Sequence, residues 1–119
     1  MAKPNQVTGR VTIFADQKRL LSKEGAKLNT GGVERETVLG DAGVHGYSEK
    51  SVAPGIECTI SHMGNTSLSE LNAMTNVTLN FECDSGAQYV IRNAWLTKPC
   101  ELSKGEVSLS FAGISCEEL

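Results

Sequence analysis

The side chains best suited to chemistry in this sequence are its cysteines, but their spacing does not suit a metal site. No C-x-x-C pair and no H-x-x-x-H pair occurs in the chain, although zinc sites built from these residue types use such spacings. In a chain without a recognisable secretion signal, cysteines are more often reduced, small apolar residues than disulfide partners. We therefore predict neither a metal site nor a disulfide among the four cysteines, which are Cys58, Cys83, Cys100 and Cys116.

Glycines at positions 40, 43 and 46 repeat every third residue, a spacing that suggests a phosphate-binding loop. No Lys-Ser or Lys-Thr pair closes the repeat and no helix is predicted after it, so backbone N–H groups would not converge on an anion. Turn glycines are the favoured interpretation. His45 and Glu49 lie four residues apart in the same segment and would share a face only in a helix, which the glycines oppose. We predict a polar pair there rather than metal ligands or a general base.

No serine, cysteine or aspartate lies in a recognisable nucleophile motif, and His62 has the setting of a turn residue after a strand. Catalytic groups can be distant in sequence, so a small hydrolase that uses His45 stays an alternative. Tyr89 and Trp95 would suit a monomeric β-barrel module that stacks a ligand, although buried aromatic residues are commoner in a sheet. The sequence predicts no catalytic residue and no cofactor.

The length of 119 residues predicts a single domain over residues 1–119. The net charge is −3 and no basic cluster is present, whereas proteins that hold duplex DNA through its phosphates display lysine and arginine patches. No long apolar run or leader segment is evident, which predicts a cytoplasmic product without a membrane span. Only 5% of the residues are aromatic, and the abundance of Gly, Ser, Thr and Val is typical of a sheet protein with many turns.

Alternation of apolar and polar residues predicts six to eight short strands after a loose lead-in at residues 1–6. The surest hairpin joins 77–83 to 88–96 through Asp84-Ser85-Gly86. Its second arm is apolar on both faces, with Trp95 predicted to share a face with Tyr89 and Ile91. The other predicted strands are 7–13, a bent or bulged arm at 19–28, 33–39, 56–60 and 107–111.

One short helix is predicted at about residues 67–75. Ser67-Leu68-Ser69-Glu70 is a capping box, in which the serine hydroxyl accepts from the glutamate N–H and the carboxylate reaches back. Leu68, Leu71 and Met74 would lie on its apolar side. The predicted fold class is mainly β, a compact antiparallel sandwich or barrel with this one helix.

A long polar loop is predicted at about residues 40–52, and loops of this length are usually functional or disordered. Val44 and Tyr47 have no periodic place in a core, so they would suit the surface of a partner. Arg35, on the inner face of the preceding arm, must pair with a carboxylate or face a lumen or a neighbour. The alternative for that arm is an exposed edge strand kept soluble by its charges.

The same segment resembles the tail tube proteins of Mu-like contractile-tailed bacteriophages. The resemblance lies in Arg35-Glu36, in Gly40-Asp41-x-Gly43-Val44-His45-Gly46-Tyr47-x-Glu49 and in Ile56-Glu57. It continues through Leu68-Ser69-x-Leu71, Asn76-Val77-Thr78 and residues 89–95, and so covers most of the chain.

This resemblance implies a structural virion protein that is made in the host bacterial cytoplasm and located in the tail. It implies hexameric rings stacked into a tube, with the tail sheath protein outside and the tape-measure protein, then genome DNA, in the lumen. Sequence-specific nucleic-acid binding is not expected. The tube of a phage-derived bacteriocin or of a type VI-like secretion system, which has a similar fold, stays an alternative.

Two sets of candidate site residues follow from the residue types and the resemblance. The loop is expected to be mobile in the free subunit and to form the contact between subunits or rings. The bore is expected not to be basic, because lysines and arginines would retain the phosphates of moving DNA. The contact candidates are Arg35, Glu36, Asp41, Val44, His45, Tyr47 and Glu49. The lumen candidates, which oppose the apolar faces of their strands, are Glu34, Glu57, Thr59, Asn80 and Glu82.

Overall fold

The body of the protein is a nine-stranded antiparallel sheet that folds back on itself. The computed structural model describes residues 5–119, so most of the predicted lead-in at 1–6 lies outside the described residues. The order of the body strands is β2-β1-β7-β8-β10-β6-β3, with β11 paired to β8 and β9 paired to β10, while β4 and β5 form a separate two-stranded sheet. The elements are β1 Val11–Ala15, β2 Lys18–Leu20, β3 Lys27–Asn29, β4 Gly32–Gly40, β5 Gly43–Val52, β6 Gly55–Ser61, α1 Leu68–Asn72, β7 Val77–Cys83, β8 Gln88–Leu96, β9 Glu101–Ser103, β10 Glu106–Ala112 and β11 Ser115–Glu118.

The body consists of two halves that share β8. The first part of β8 pairs with β7 and β11, whereas its last two residues pair with β10. The inner faces of both halves meet in one buried apolar cluster that contains Ile13 and Leu79 from the first half and Ile56 and Val107 from the second. The predicted mainly β, antiparallel fold is therefore confirmed. Of the two predicted forms, sandwich and barrel, the described residues do not form the closed barrel, because the strand order ends at β2 and at β3.

A bulge in β8 changes the face that its second part presents. Asn93 has a φ of +54°, and the pairing with β7 shifts its register in this part of the sheet. Ile91 and Ala94 both belong to the core although they are three residues apart. The prediction that Trp95 shares a face with Tyr89 and Ile91 is wrong, because one extra residue in a strand reverses the alternation that follows it.

Two predicted strands have different limits in the structure. The first begins at Val11 rather than at Val7, whose side chain is exposed. The bent arm predicted at 19–28 is two strands in different halves, since β2 pairs with β1 and β3 pairs with β6. Including these and the short β9 and β11, the described residues form eleven strands instead of the six to eight predicted.

The predicted helix is confirmed, with a shorter span. The Oγ of Ser67 accepts from the N–H of Glu70 at 3.3 Å, which is one half of the capping box. The Glu70 carboxylate accepts from Lys18 Nζ at 3.1 Å instead of reaching back, so it connects the helix to β2. The predicted apolar side chains of this segment, Leu68, Leu71 and Met74, lie in or against the core. Within residues 5–119, no helix is long and apolar enough to cross a membrane.

Candidate functional site: a projecting hairpin

Residues 32–52 form a β-hairpin that projects from the body. Among the described residues β4 and β5 pair only with each other, and Asp41-Ala42 is their whole connection. The prediction of a loop at 40–52 is wrong. The sequence of β5 is polar and rich in glycine, and neither of its faces is buried, so it lacks the apolar alternation that identifies a strand on a core.

The hairpin continues the β3–β6 pair in the same register. Lys27 lies opposite Glu57 in the body, and Gly32 lies opposite Val52 once the ladder resumes beyond Thr30-Gly31 and Ala53-Pro54. Extended chain rises by about 3.3 Å per residue. The path from Ile60 to Asp41 therefore accounts for the longest dimension of the molecule, 62 Å.

Close backbone packing fixes the root of the hairpin. Gly31 has a φ of +69°, and a Cβ at this position would lie 2.5 Å from the nitrogen of Pro54. Pro54 is buried, and its carbonyl accepts from the Gly113 N–H at 3.0 Å. The Gly31 N–H donates to Asn29 Oδ1 at 2.9 Å. The ladder breaks here because proline has no N–H to contribute.

Glycines shape the tip. Gly43 and Gly46 have φ values of +127° and +145°, a region that glycine adopts readily and other residues rarely do. A Cβ on Gly40 would collide with the imidazole of His45, so the ring lies against that glycine. Gly40 and Gly43 flank the two-residue turn, as predicted for turn glycines, whereas Gly46 lies within β5 opposite Val38.

Arg35 pairs across the hairpin with Glu49. The two residues are opposite each other in the register, and Arg35 Nε lies 3.3 Å from Glu49 Oε2. The guanidinium also lies 5.6 Å from the centroid of the Tyr47 ring. Of the two predicted positions for Arg35, pairing with a carboxylate is confirmed. Because both charged side chains are more than half exposed, the pair contributes about 1 kcal/mol at most and mainly orders the side chains.

One face of the hairpin carries a row of exposed apolar side chains, and we call it the contact face. The exposed fractions are 71% for Leu39, 69% for Val44, 63% for Tyr47 and 47% for Val33. Exposed apolar residues in a row are typical of an interaction surface. The register places eight residues on this face, Val33, Arg35, Thr37, Leu39, Val44, Tyr47, Glu49 and Ser51.

The predicted contact residues are distributed over four parts of the hairpin. Four of the seven lie on the contact face, and Asp41 lies in the turn. His45 is the extra residue of the register shift near the tip, and Glu36 lies on the opposite face with Glu34 and Lys50. Leu39 is the most exposed apolar residue of the contact face, and the sequence analysis did not name it as a contact residue. The alternation of Val33, Arg35, Thr37 and Leu39 along β4 is visible in the sequence and predicts that Leu39 shares a face with Val33.

The structure separates the predicted lumen residues. Glu34 lies on the hairpin, Glu57 and Thr59 lie on the outer face of β6, and Asn80 and Glu82 lie on the outer face of β7. β6 and β7 belong to opposite halves whose inner faces enclose the core. Their outer faces consequently look in opposite directions. At most one of these two pairs can line a bore.

The cysteine thiols are free in the structure and are shielded to different degrees. Burial raises the pKa of Cys58 to about 11. Burial also raises the pKa values of the half-buried Cys100 and Cys116. A raised pKa keeps a thiol protonated and poorly nucleophilic. Among residues 5–119 no group of His, Cys, Asp and Glu side chains is arranged to hold a metal ion.

The chain is similar to known proteins over nearly its whole length. The model of the phage tail tube protein family matches residues 4–118. The Mu-like prophage FluMu tail tube protein of Haemophilus influenzae is 36% identical over 115 residues, which cover 96% of this chain and 97% of that protein. The tail tube protein of Escherichia phage Mu is 34% identical over 105 residues, which cover 88% of each chain.

Solved structures share the fold at low sequence identity. A sheath/tube terminator of the PVC extracellular contractile injection system superposes with a TM-score of 0.65 at 10% identity, covering 92% of this chain and 93% of that one. The tube-terminating cap of the anti-feeding prophage gives a TM-score of 0.65 at 11% identity, with coverages of 92% and 87%.

Proposed function

The chain belongs to the phage tail tube family, and we propose that it assembles into hexameric rings that stack as the inner tube of a contractile tail. Members of this family are structural components of the tail and not enzymes. The observation that carries the proposal is the projecting hairpin, whose contact face finds no partner in its own subunit among the described residues. We assign this face to the contact with another copy of the chain.

The energetics of the hairpin favour such a contact. An apolar side chain contributes roughly 1.5–3 kcal/mol when it becomes fully buried, and the contact face presents four that are now exposed. An isolated two-stranded hairpin is only marginally stable in water. The entropy cost of ordering the hairpin therefore opposes the first contacts between subunits and restrains their polymerisation. Once a ring forms, the same contact is repeated around it, and the repeated contacts make the assembled state stable.

We assign the lining of the bore to the outer face of the second half of the body. Thr59 lies opposite Ser108 there, and Glu57 lies between Lys27 and Ser110. Serine and threonine hydroxyls lie along this face, and its two lysines, Lys27 and Lys98, are accompanied by the carboxylates of Glu57 and Glu101. The surface therefore has no excess of positive charge to hold the phosphates of DNA. Of the lumen candidates, Glu57 and Thr59 belong to this face. Asn80 and Glu82 are then assigned to the outer wall, toward the sheath.

The cargo assigned to this bore is the tape-measure protein and then the genome. The names of the phage Mu and prophage relatives support a phage tail as the setting. The tube of a contractile injection particle is the second candidate, favoured by the fold shared with the injection-system terminator. A monomeric module that stacks a ligand between Tyr89 and Trp95 is disfavoured, because the bulge in β8 places them on opposite faces.

Assembly is tested by negative-stain microscopy of concentrated protein. The wild type should form rings and tubes. Changing Val44→Ser together with Tyr47→Ala should abolish tubes while the midpoint of thermal unfolding of the monomer stays nearly unchanged, because both side chains are exposed in the monomer. The control is Glu34→Ala with Lys50→Ala, a facing pair on the opposite face of the hairpin, which should still assemble. Normal tubes from the Val44 and Tyr47 variant, or its unfolding, would contradict the assignment.

The bore assignment is tested by labelling assembled tubes with a bulky maleimide. Thr59→Cys should be protected relative to the free subunit, and Asn80→Cys should react equally in both states. Labelling of the wild-type protein supplies the background from the native thiols. The assignment is wrong if the protection falls on Asn80→Cys instead.

A further inference from the structure

We propose that the tip of the hairpin docks into an apolar cleft at the far end of the body of a second copy, so that successive rings join head to tail. This inference rests on the proposed function and deepens it, since it names both surfaces of the junction between rings. We call the receiving surface the end cleft. It lies where β2, the last residues of β6 and α1 meet.

The end cleft is a depression of about 270 Å³ with an apolar floor and a mixed apolar and polar rim. Leu20, Ile60 and Leu71 form its buried floor, and Leu21 and Met63 lie at its opening with 45% and 49% of their surface exposed. An apolar cavity of roughly 150 Å³ can hold a benzene-sized molecule. The end cleft is therefore large enough to receive a branched aliphatic side chain from another protein.

Backbone hydrogen bonds hold the opening of the cleft in place. The Leu21 carbonyl accepts from the Ser61 N–H at 3.1 Å. The Met63 N–H donates to Thr66 Oγ1 at 3.0 Å, and the Met63 carbonyl accepts from the Thr66 N–H at 2.9 Å. The cleft is formed without a partner, so docking would require little rearrangement of this side.

The tip and the end cleft lie at opposite ends of one line through the molecule. β6 runs from Gly55, next to the hairpin root, to Ser61, next to the cleft. The hairpin extends the same ladder beyond Gly55 in the other direction. When two different surfaces at opposite ends bind each other, the contact does not close on itself and each copy adds to the next. A stack of rings is built from such a contact.

The chemistry of the two surfaces is complementary. At the tip, Leu39 and Val44 are opposite each other on the contact face, and they are its most exposed apolar side chains. Asp41 lies in the turn beyond them. Lys18 and Arg19 also line the end cleft. Because Lys18 Nζ already lies 3.1 Å from Glu70 Oε2, Arg19 supplies the positive charge that Asp41 would meet. An acidic turn that meets this arginine sets the register of docking and steers the approach.

The first test is the variant Met63→Asp, which places a carboxylate at the opening of the cleft. We expect single rings to persist in negative stain and tubes to be lost, because the contacts within a ring are left intact. Leu102→Asp is the matched control. Leu102 is 47% exposed and the register places it across from Val107, at the same end of the sheet, but it does not line the cleft. This control should form normal tubes.

The second test is cross-linking between copies. Tubes of a Val44→Cys, Met63→Cys double variant, assembled under reducing conditions and then mildly oxidised, should give a ladder of multimers on a non-reducing gel. Each single variant reports the background from the native cysteines and should give no ladder. A double variant that forms tubes without a ladder would overturn the inference.

The outcomes separate this inference from the proposed function. Normal tubes from Met63→Asp overturn the end cleft as the docking site and leave the self-assembling tube intact. A wild-type protein that forms neither rings nor tubes overturns the proposed function, and the inference with it. Loss of tubes from both Met63→Asp and Leu102→Asp shows a general sensitivity of that end to charge and also counts against the cleft.

Discussion

Asp84, in the turn between β7 and β8, binds the backbone and a side chain of the residues that precede β1. Its Oδ1 accepts from the Gly9 N–H at 3.0 Å, and its Oδ2 lies 3.7 Å from Arg10 Nε. The hydrogen bond from Gly9, followed by the interactions with Arg10, holds the pKa of the Asp84 carboxyl below its usual range. A carboxyl whose pKa is lower in the folded state stabilises that state once it is ionised.

We therefore expect Asp84→Asn to lower the free energy of unfolding at neutral pH and to lose this effect in acid. The contribution is fully present above the ordinary aspartate pKa of about 3.9 and disappears as the pH falls through the lower pKa of the folded state. Urea unfolding of both proteins between pH 7 and pH 2, about the range that matters here, measures the difference. A difference that stays constant across that range would contradict the role of the charge.

The buried Cys58 thiol gives a second prediction for a single residue. Because its pKa is raised to about 11, it should react with a thiol reagent far more slowly in the folded protein than the other cysteines do. Intact mass after labelling should show slow addition to the last site under native conditions and four additions in denaturant without reductant, matching the four cysteines. Two missing additions in denaturant would indicate a disulfide.

For single residues, the sequence predicts which side chains are exposed better than it predicts which side chains pair with each other. Val44 and Tyr47 have no place in an apolar pattern, and both are exposed. The pairing of Arg35 with Glu49 depends on the register of the hairpin, and a polar segment contains no buried face that would fix this register.

Among the elements, the hairpin root is sensitive to the addition of a single methyl group. In Gly31→Ala the alanine would have a positive φ and its Cβ would lie 2.5 Å from the nitrogen of Pro54. In Gly25→Ala the alanine would also have a positive φ, but no atom would lie within 4 Å of its Cβ. Strain from an unfavourable φ alone costs about 1–3 kcal/mol.

We expect Gly31→Ala to be the more destabilising of the two substitutions and to weaken assembly as well, because it displaces the hairpin from the body. Unfolding in urea gives the first comparison and negative stain gives the second. Equal losses of stability would show that the contact with Pro54 is unimportant.

The elements that sequence analysis misses are those that bury little or nothing. β5 has no buried residue, so its apolar and polar positions carry no period. β2 and β3 are only three residues long and belong to different halves. β6, β7 and β10 each alternate against the core and were located to within a few residues.

For the whole molecule, stability should be unevenly distributed between the body and the hairpin. The body strands share one core, whereas the hairpin pairs only with itself among the described residues. Elements with few buried contacts open at low free energy. Hydrogen exchange of the free subunit should therefore be fast over 32–52 and slow in β7 and β8.

In assembled tubes the hairpin amides should become protected by roughly an order of magnitude or more, since the docking that we propose would bury the contact face. Exchange measured by mass spectrometry on both states tests this expectation. Protection of the hairpin already in the free subunit would mean that the element is stable without a partner.

The overall class was predictable because it depends on composition and alternation, which a single sequence contains. The two-half arrangement was not, because it depends on a bulge at Asn93 and on a chain that crosses between halves after Leu20. Both are set by backbone geometry at a few positions, and residue type alone leaves several geometries open at each.

The shared register of the hairpin and the β3–β6 pair also has a mechanical consequence. Hydrogen bonds of an antiparallel ladder run perpendicular to the strands, so a force along the line from Ile60 to Asp41 shears many of them at once. A force across that line would open them one after another. At the break in the ladder, the close packing of Gly31 against Pro54 and the hydrogen bond from Gly113 anchor the ribbon to the body, so a force along the ribbon is transmitted to the core.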